Sequence, residues 1–165
     1  MHRFFITMLR GGIATAILFG LFGQLVVIPT TAADEVDRFP PYAPYALPYT
    51  IVAVAGIACV QVVLAAAWRL LTMVERDAIF SPAALRWVDT ITGSTVAATV
   101  LALGVTCHLM LAAVPSPDDG MELLGALAAA IAATGIGACL VMLFVIMRSL
   151  LRKANHMKSE LAEVV

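Results

Sequence analysis

The chain has 165 residues, of which 62% are hydrophobic and only 13% charged, with a formal net charge of −1. Soluble domains run at roughly 45–50% apolar and about 25% charged. Together with a mean hydropathy of +0.98, these values exclude an ordinary soluble globule, a disordered chain and a direct nucleic-acid binder.

A bilayer core ~30 Å thick takes about 20 mostly apolar residues per helix. Inside lipid the backbone must satisfy its own hydrogen bonds, so spanning stretches are helical. Four stretches qualify, at residues 11–30, 48–74, 91–114 and 121–147. They predict an all-α, four-helix transmembrane bundle, one domain over residues 1–165, with a helical tail at 148–165. The first stretch follows Arg3 and Arg10 and ends near Ala32 and Ala33, which is also how a cleaved signal peptide reads. Signal cores are only about 7–15 residues, so the run is taken as a retained span.

Charge assigns the sides. Of the ten Lys and Arg, Arg3, Arg10, Arg69, Arg76, Arg86, Arg148, Arg152, Lys153 and Lys158 belong to the N-terminus, the second connector or the tail. Only Arg38 lies in the first connector, and the third has none. The positive-inside rule then predicts that both termini and the second connector are cytoplasmic. The other two connectors are acidic, with Asp34, Glu35 and Asp37, then Asp118, Asp119 and Glu122. In the first of them, residues 39–49 read as non-helical, because Pro40, Pro41, Pro44 and Pro48 fix φ and favour turn or polyproline backbone. Tyr42, Tyr45 and Tyr49 suit an aromatic belt at headgroup level. A ligand or peptide site flanked by the acidic residues is the functional alternative.

In the second connector, Ser81 is an apt N-cap and Pro82 an apt first helical residue, with Phe80 and Leu85 placed as a hydrophobic staple. Arg86 and Trp87 then fall where interfacial anchors belong. Arg76, Asp77, Phe80, Ser81, Arg86, Trp87 and Asp89 form a candidate cytoplasmic docking surface. The run 76–81 together with 86–89 resembles the signature connector of a bacterial membrane family known as domain of unknown function 2975. Cys59 to Val62, Trp68 to Val74 and the ending Glu160 to Val165 are similar to it as well. Eight Arg against two Lys, and many Ala, agree with its high-GC Gram-positive members. The resemblance implies a four-span protein of the cytoplasmic (inner) membrane, often encoded beside a small helix-turn-helix regulator, and implies no reaction.

In the third span Ser94, Ala98, Ala102 and Thr106, and in the fourth Gly125, Ala129, Ala133 and Gly137, form ladders of small residues. Such ladders allow close helix approach, so spans three and four are expected to pack along them, with homodimerisation as a second use. In the tail, Met147, Leu150, Ala154, Met157, Leu161 and Val164 repeat as an a/d seam, which either covers the bundle's own mouth or meets a partner.

Polar residues inside the spans are few. Gln24, Gln61 and His108 form a candidate intramembrane cluster, with a Gln24–His108 hydrogen bond within reach. They either pin the bundle or make His108 a pH-responsive group. Cys59, Cys107 and Cys139 lie on three spans and read as small hydrophobes. Cys107 and His108 point about 100° apart on a helix, and no intramembrane carboxylate completes a metal site. Gly135 and Gly137 lack the third glycine and the preceding strand of a dinucleotide fingerprint. No catalytic residue, metal or cofactor is therefore expected. The leading reading is a non-enzymatic partner-binding or regulatory protein, working with a small helix-turn-helix regulator through residues 79–89 and the tail. The alternative is a small transporter or channel subunit, weakened by the lack of Asp and Glu within the spans.

Overall fold

The computed structural model describes the backbone of residues 2–75, 82–112, 114–116 and 120–163, with side chains described from residue 4 and, in the last helix, as far as Lys153. All regular elements among them are helical: α1 (His2–Phe22), a π-helical turn (Gly23–Val27), α2 (Ile28–Arg38), a 3-10 turn (Pro40–Tyr42), α3 (Ala43–Glu75), α4 (Pro82–Leu111) and α5 (Met121–Glu163). Four stretches are long and apolar enough to cross a membrane: Phe4–Arg38, Pro40–Glu75, Ala83–Leu111 and Met121–Leu150. The chain is a multi-pass membrane protein with an all-helical transmembrane bundle.

The first span is longer than the sequence suggested. Helix continues through the π turn to Arg38, so Asp34, Glu35 and Asp37 sit on α2 rather than in a loop. Pro29 explains the irregular turn. It has no N–H, and its ring crowds the carbonyl four residues back. Widening the preceding turn, with the Ile28 N–H reaching the Gly23 carbonyl, makes room. Thr30 Oγ1 shares its proton between the Val26 and Val27 carbonyls at 2.7 and 3.0 Å. Phe39, at φ −138° and ψ 88°, ends the run.

Residues 39–49 correct the expectation of a non-helical connector. Beyond Phe39 they are helical: Pro40 and Pro41 open the 3-10 turn, and α3 begins at Ala43. Four prolines are tolerated because they cluster at a helix start, where the first N–H groups have no intrahelical partner anyway. Pro48 forgoes only the bond to the Pro44 carbonyl. At the far connector, α4 ends at Leu111, with the Ala112 N–H on the His108 carbonyl at 2.8 Å. Gly120, at φ +81°, turns the chain into α5, its carbonyl accepting the Leu124 N–H at 2.9 Å. A positive φ is where glycine is favoured over any residue bearing a Cβ.

Packing follows chain order. α1 and α2 lie on α3, α3 on α4, and α4 most closely on α5; among the described residues α1 touches neither α4 nor α5. The bundle is therefore an open row. Its accessible surface is 11129 Å², against ~7,900 Å² for a compact globule of this mass. The small core follows α4, one of the two inner helices, through Ala84, Val88, Ile91, Thr95 and Thr106, joined by Ile13 of α1 and Ala66 of α3. The threonine hydroxyls there are satisfied within α4, Thr95 and Thr106 donating to the Ile91 and Ala102 carbonyls at 2.8 and 2.9 Å.

On α5 the inward face is Leu123, Leu127, Ala130, Thr134, Gly137, Val141, Phe144 and Arg148, alternating spacings of four and three. The small-residue ladder was expected to supply this face, and it contributes only Gly137; Gly125, Ala129 and Ala133 are exposed. Four residues advance a helix by about 400°, so an i, i+4 row drifts about 40° per step, whereas a heptad seam stays on the partner. At Gly137 the approach is close, and any side chain there would run into Thr99. Three residues earlier, Thr134 Oγ1 lies 3.3 Å from Thr106 Oγ1. The α4 ladder of Ser94, Ala98, Ala102 and Thr106 is half-buried or buried throughout.

Candidate functional site

At one end of the row, arginines tie successive helices together. Trp68, Thr72 and Glu75 follow at spacings of four and three on α3 and so share a face. Arg10 of α1 meets all three: its Nη2 donates to Glu75 Oε2 at 2.6 Å and Thr72 Oγ1 at 3.2 Å, and its guanidinium lies 5.8 Å from the Trp68 ring. Arg69 of α3 stands over Trp87 of α4 at 5.9 Å. Arg148 of α5 donates from Nη2 to Asp89 Oδ2 of α4 at 3.0 Å, while its Nε lies 2.5 Å from Oδ1, off the hydrogen-bond axis. From this end α5 continues through residues 151–163 beyond its apolar stretch, about 20 Å more.

This end contains the sequence-derived docking residues. Arg86 is exposed, Trp87 is half-buried beneath Arg69, and Asp89 is engaged by Arg148. Arg76, Asp77, Phe80 and Ser81 lie outside the described residues, as do the tail-seam side chains from Ala154 onward, although helix persists to Glu163. Met147 and Leu150, at the start of the seam, are exposed.

At the opposite end, α2, the 3-10 turn and α3 line most of a groove of about 420 Å³, to which Leu109 of α4 and Val114 beyond it also contribute. Its walls are mostly small or aliphatic: Val27, Ile28, Thr31, Ala32 and Val36 on one side, and Ala46, Thr50 and Ala53 on the other. Glu35, Tyr42, Tyr45 and Tyr49 are its polar and aromatic lining. A second groove, of about 360 Å³, opens between α3 and α4 beside His108 and shares Tyr45 and Tyr49 with the first. Tyr49 OH and His108 Nδ1 are hydrogen-bonded at 2.8 Å, and both Tyr45 and Tyr49 meet the imidazole edge-on, at 6.0 and 5.7 Å.

The three intramembrane polar residues do not meet one another. Gln24 donates to the Val54 carbonyl at 3.1 Å, not to His108, and Gln61 reaches the Ile17 carbonyl at 3.4 Å. The first joins the π turn to α3 and the second joins α3 to α1, where Gln61 crosses at Gly20 and a Cβ would meet its Nε2 at 2.8 Å. Each glutamine thus supplements a helix carbonyl, the bond that a polar side chain in lipid can make without a second polar side chain. Cys59 is half-buried, whereas Cys107 and Cys139 face outward, exposed rather than buried. Among the described residues no three His, Cys, Asp or Glu come together as metal ligands.

A profile of the protein family of unknown function DUF2975 matches residues 30–165, which takes in most of α2 and all of α3, α4 and α5. The chain belongs to the DUF2975 family. Neither a curated protein nor a solved structure matches it. The DUF2975 match covers the tyrosine-lined groove from Thr31 onward and the Asp89–Arg148 tie, and leaves out Val27, Ile28 and Arg10. What sequence reasoning missed is mainly the pairing: Arg10 with Trp68, Thr72 and Glu75, and Tyr49 with His108. The spacing of Trp68, Thr72 and Glu75 was a usable signal for a shared face, but nothing along the chain names the helix opposite.

Proposed function

We propose that this protein is a non-enzymatic regulatory component of a bacterial cytoplasmic membrane that holds a small helix-turn-helix regulator at its arginine-tied end. The observation that carries this reading is α5, which runs unbroken from Met121 to Glu163 and so extends well past its apolar part. A helix already nucleated in the membrane presents its extension without the cost of starting one. The basic residues at that end support a cytoplasmic placement through the positive-inside rule. The partner class rests on the family resemblance. Glu75 is used structurally, on Arg10, which favours scaffold over catalyst for this end. A second copy of the chain, seated along the exposed Gly125, Ala129 and Ala133 side of α5, is compatible with the same role.

Transport is the weaker reading. Because α1 and α5 do not meet among the described residues, the four spans of one copy do not close around a lumen. Co-purification decides between the two. The full chain should retain a co-expressed helix-turn-helix regulator, and a chain ending after Arg152 should lose it. Retention by the shortened chain, or solute flux through reconstituted vesicles, would sink the proposal.

A further inference from the structure

We infer that the groove between α2 and α3 is a binding site for an organic cation with an apolar body. This inference stands apart from the regulatory reading and uses the other end of the molecule. Three features converge. The groove's volume, about 420 Å³, falls in the range of about 300–1,000 Å³ typical of small-molecule sites. Its walls are apolar because Thr31 and Ala32 of α2 face Ala46, Thr50 and Ala53 of α3, side chains too small to fill the space between two helices. The irregular π turn contributes Val27 to the same wall, and such turns recur where helices are shaped for function.

Charge then selects the sign of the guest. Among the described residues Glu35 is the carboxylate lining the groove, with Asp34 and Asp37 exposed beside it on α2. Glu35 is paired with Arg38, whose Nη1 lies 4.0 Å from Glu35 Oε1 with a side chain 77% exposed. So loose a surface pair holds its partner weakly, and an incoming cation can take the carboxylate. Tyr42, Tyr45 and Tyr49 line the groove, and aromatic rings attract cations, most strongly where water is excluded. An anion of equal size would meet the same walls and be repelled by the same carboxylates.

The test titrates the full chain in micelles with tetraphenylphosphonium and with tetraphenylborate, which match in shape and differ in charge, after subtracting uptake by empty micelles. Saturable one-to-one binding of the cation is expected, with the anion about tenfold weaker or worse. Glu35→Gln should remove that discrimination by weakening the cation about tenfold. Ala53→Leu should weaken both ions, since Ala53 is exposed within the groove and a larger side chain fills it without displacing packed atoms. Circular dichroism checks that both variants remain folded. Equal affinity for the two ions, a cation affinity unchanged in Glu35→Gln, or no saturable binding would each overturn the inference. Equal displacement of both ions by added phospholipid would overturn it too, and assign the groove to an acyl chain.

Discussion

The two ends of the bundle are held by different forces. At the basic end every neighbouring pair of spans is joined by an arginine: Arg10 joins α1 to α3, Arg69 joins α3 to α4, and Arg148 joins α5 to α4. At the tyrosine end the contacts are rings and small side chains, and they leave two grooves. Guanidinium groups reach across from flexible stems, so they fix helix positions without filling space. Short side chains fill little and reach nowhere, so the end that relies on them is concave. One end is tied and presents a long helix; the other is loosely closed and presents a cavity.

That contrast requires a shared middle, and the largest expected effect lies there. Gly137→Leu should lower stability by about 2–3 kcal/mol, because the new side chain meets Thr99 on α4. Gly125→Leu should stay within about 0.5 kcal/mol, since Gly125 is exposed with open space at its Cβ position. Thermal unfolding in micelles measures both. Equal effects would mean that the four-residue ladder, and not the heptad seam, is the α4–α5 interface.

Next come the ties themselves. Arg10→Ala removes a charged hydrogen bond, a threonine contact and an arginine–tryptophan contact together. The Arg10 and Glu75 side chains are 28% and 34% exposed, so a loss of about 1–2 kcal/mol is expected rather than the full cost of a buried ion pair. Arg148→Ala, at a pair 37% and 43% exposed, should lose only about 0.5 kcal/mol. Salt sharpens the comparison: screening shortens from ~30 Å at 0.01 M to ~3 Å at 1 M. The wild type should lose stability over that range, and Arg10→Ala should lose less of it.

The sequence made the spans legible because apolar runs of this length have one structural outcome in lipid. It made the start of α4 at Pro82 legible as well, because proline at a helix start is a local signal. Where local signals conflict with context, reading fails. Pro40 to Pro48 signal a break in isolation, yet they were tolerable at a helix start whose position a sequence pattern does not reveal. The ladder of Gly125 to Gly137 named the correct helix pair and mostly the wrong face, because only Gly137 keeps to the seam. The groove was half visible: Tyr42, Tyr45, Tyr49 and Glu35 stood out, but the opposing Ala46, Thr50 and Ala53 carry no signal until α2 is laid against α3.

The smallest expected effect falls at the tyrosine end and tests whether the hydrogen bond between Tyr49 and His108 matters. Tyr49→Phe keeps the ring that walls both grooves and removes only the hydroxyl, 2.8 Å from His108 Nδ1. Interhelical hydrogen bonds in membranes average about 0.6 kcal/mol, so a loss of that size is expected, with little salt dependence because neither partner is an ion-paired group. The informative quantity is the coupling in a double-mutant cycle with His108→Ala. A coupling near the single loss means that the bond holds α3 against α4 at this end. Additive losses would mean that the two rings are held by packing alone, and the contrast with the charge-tied end would then be complete.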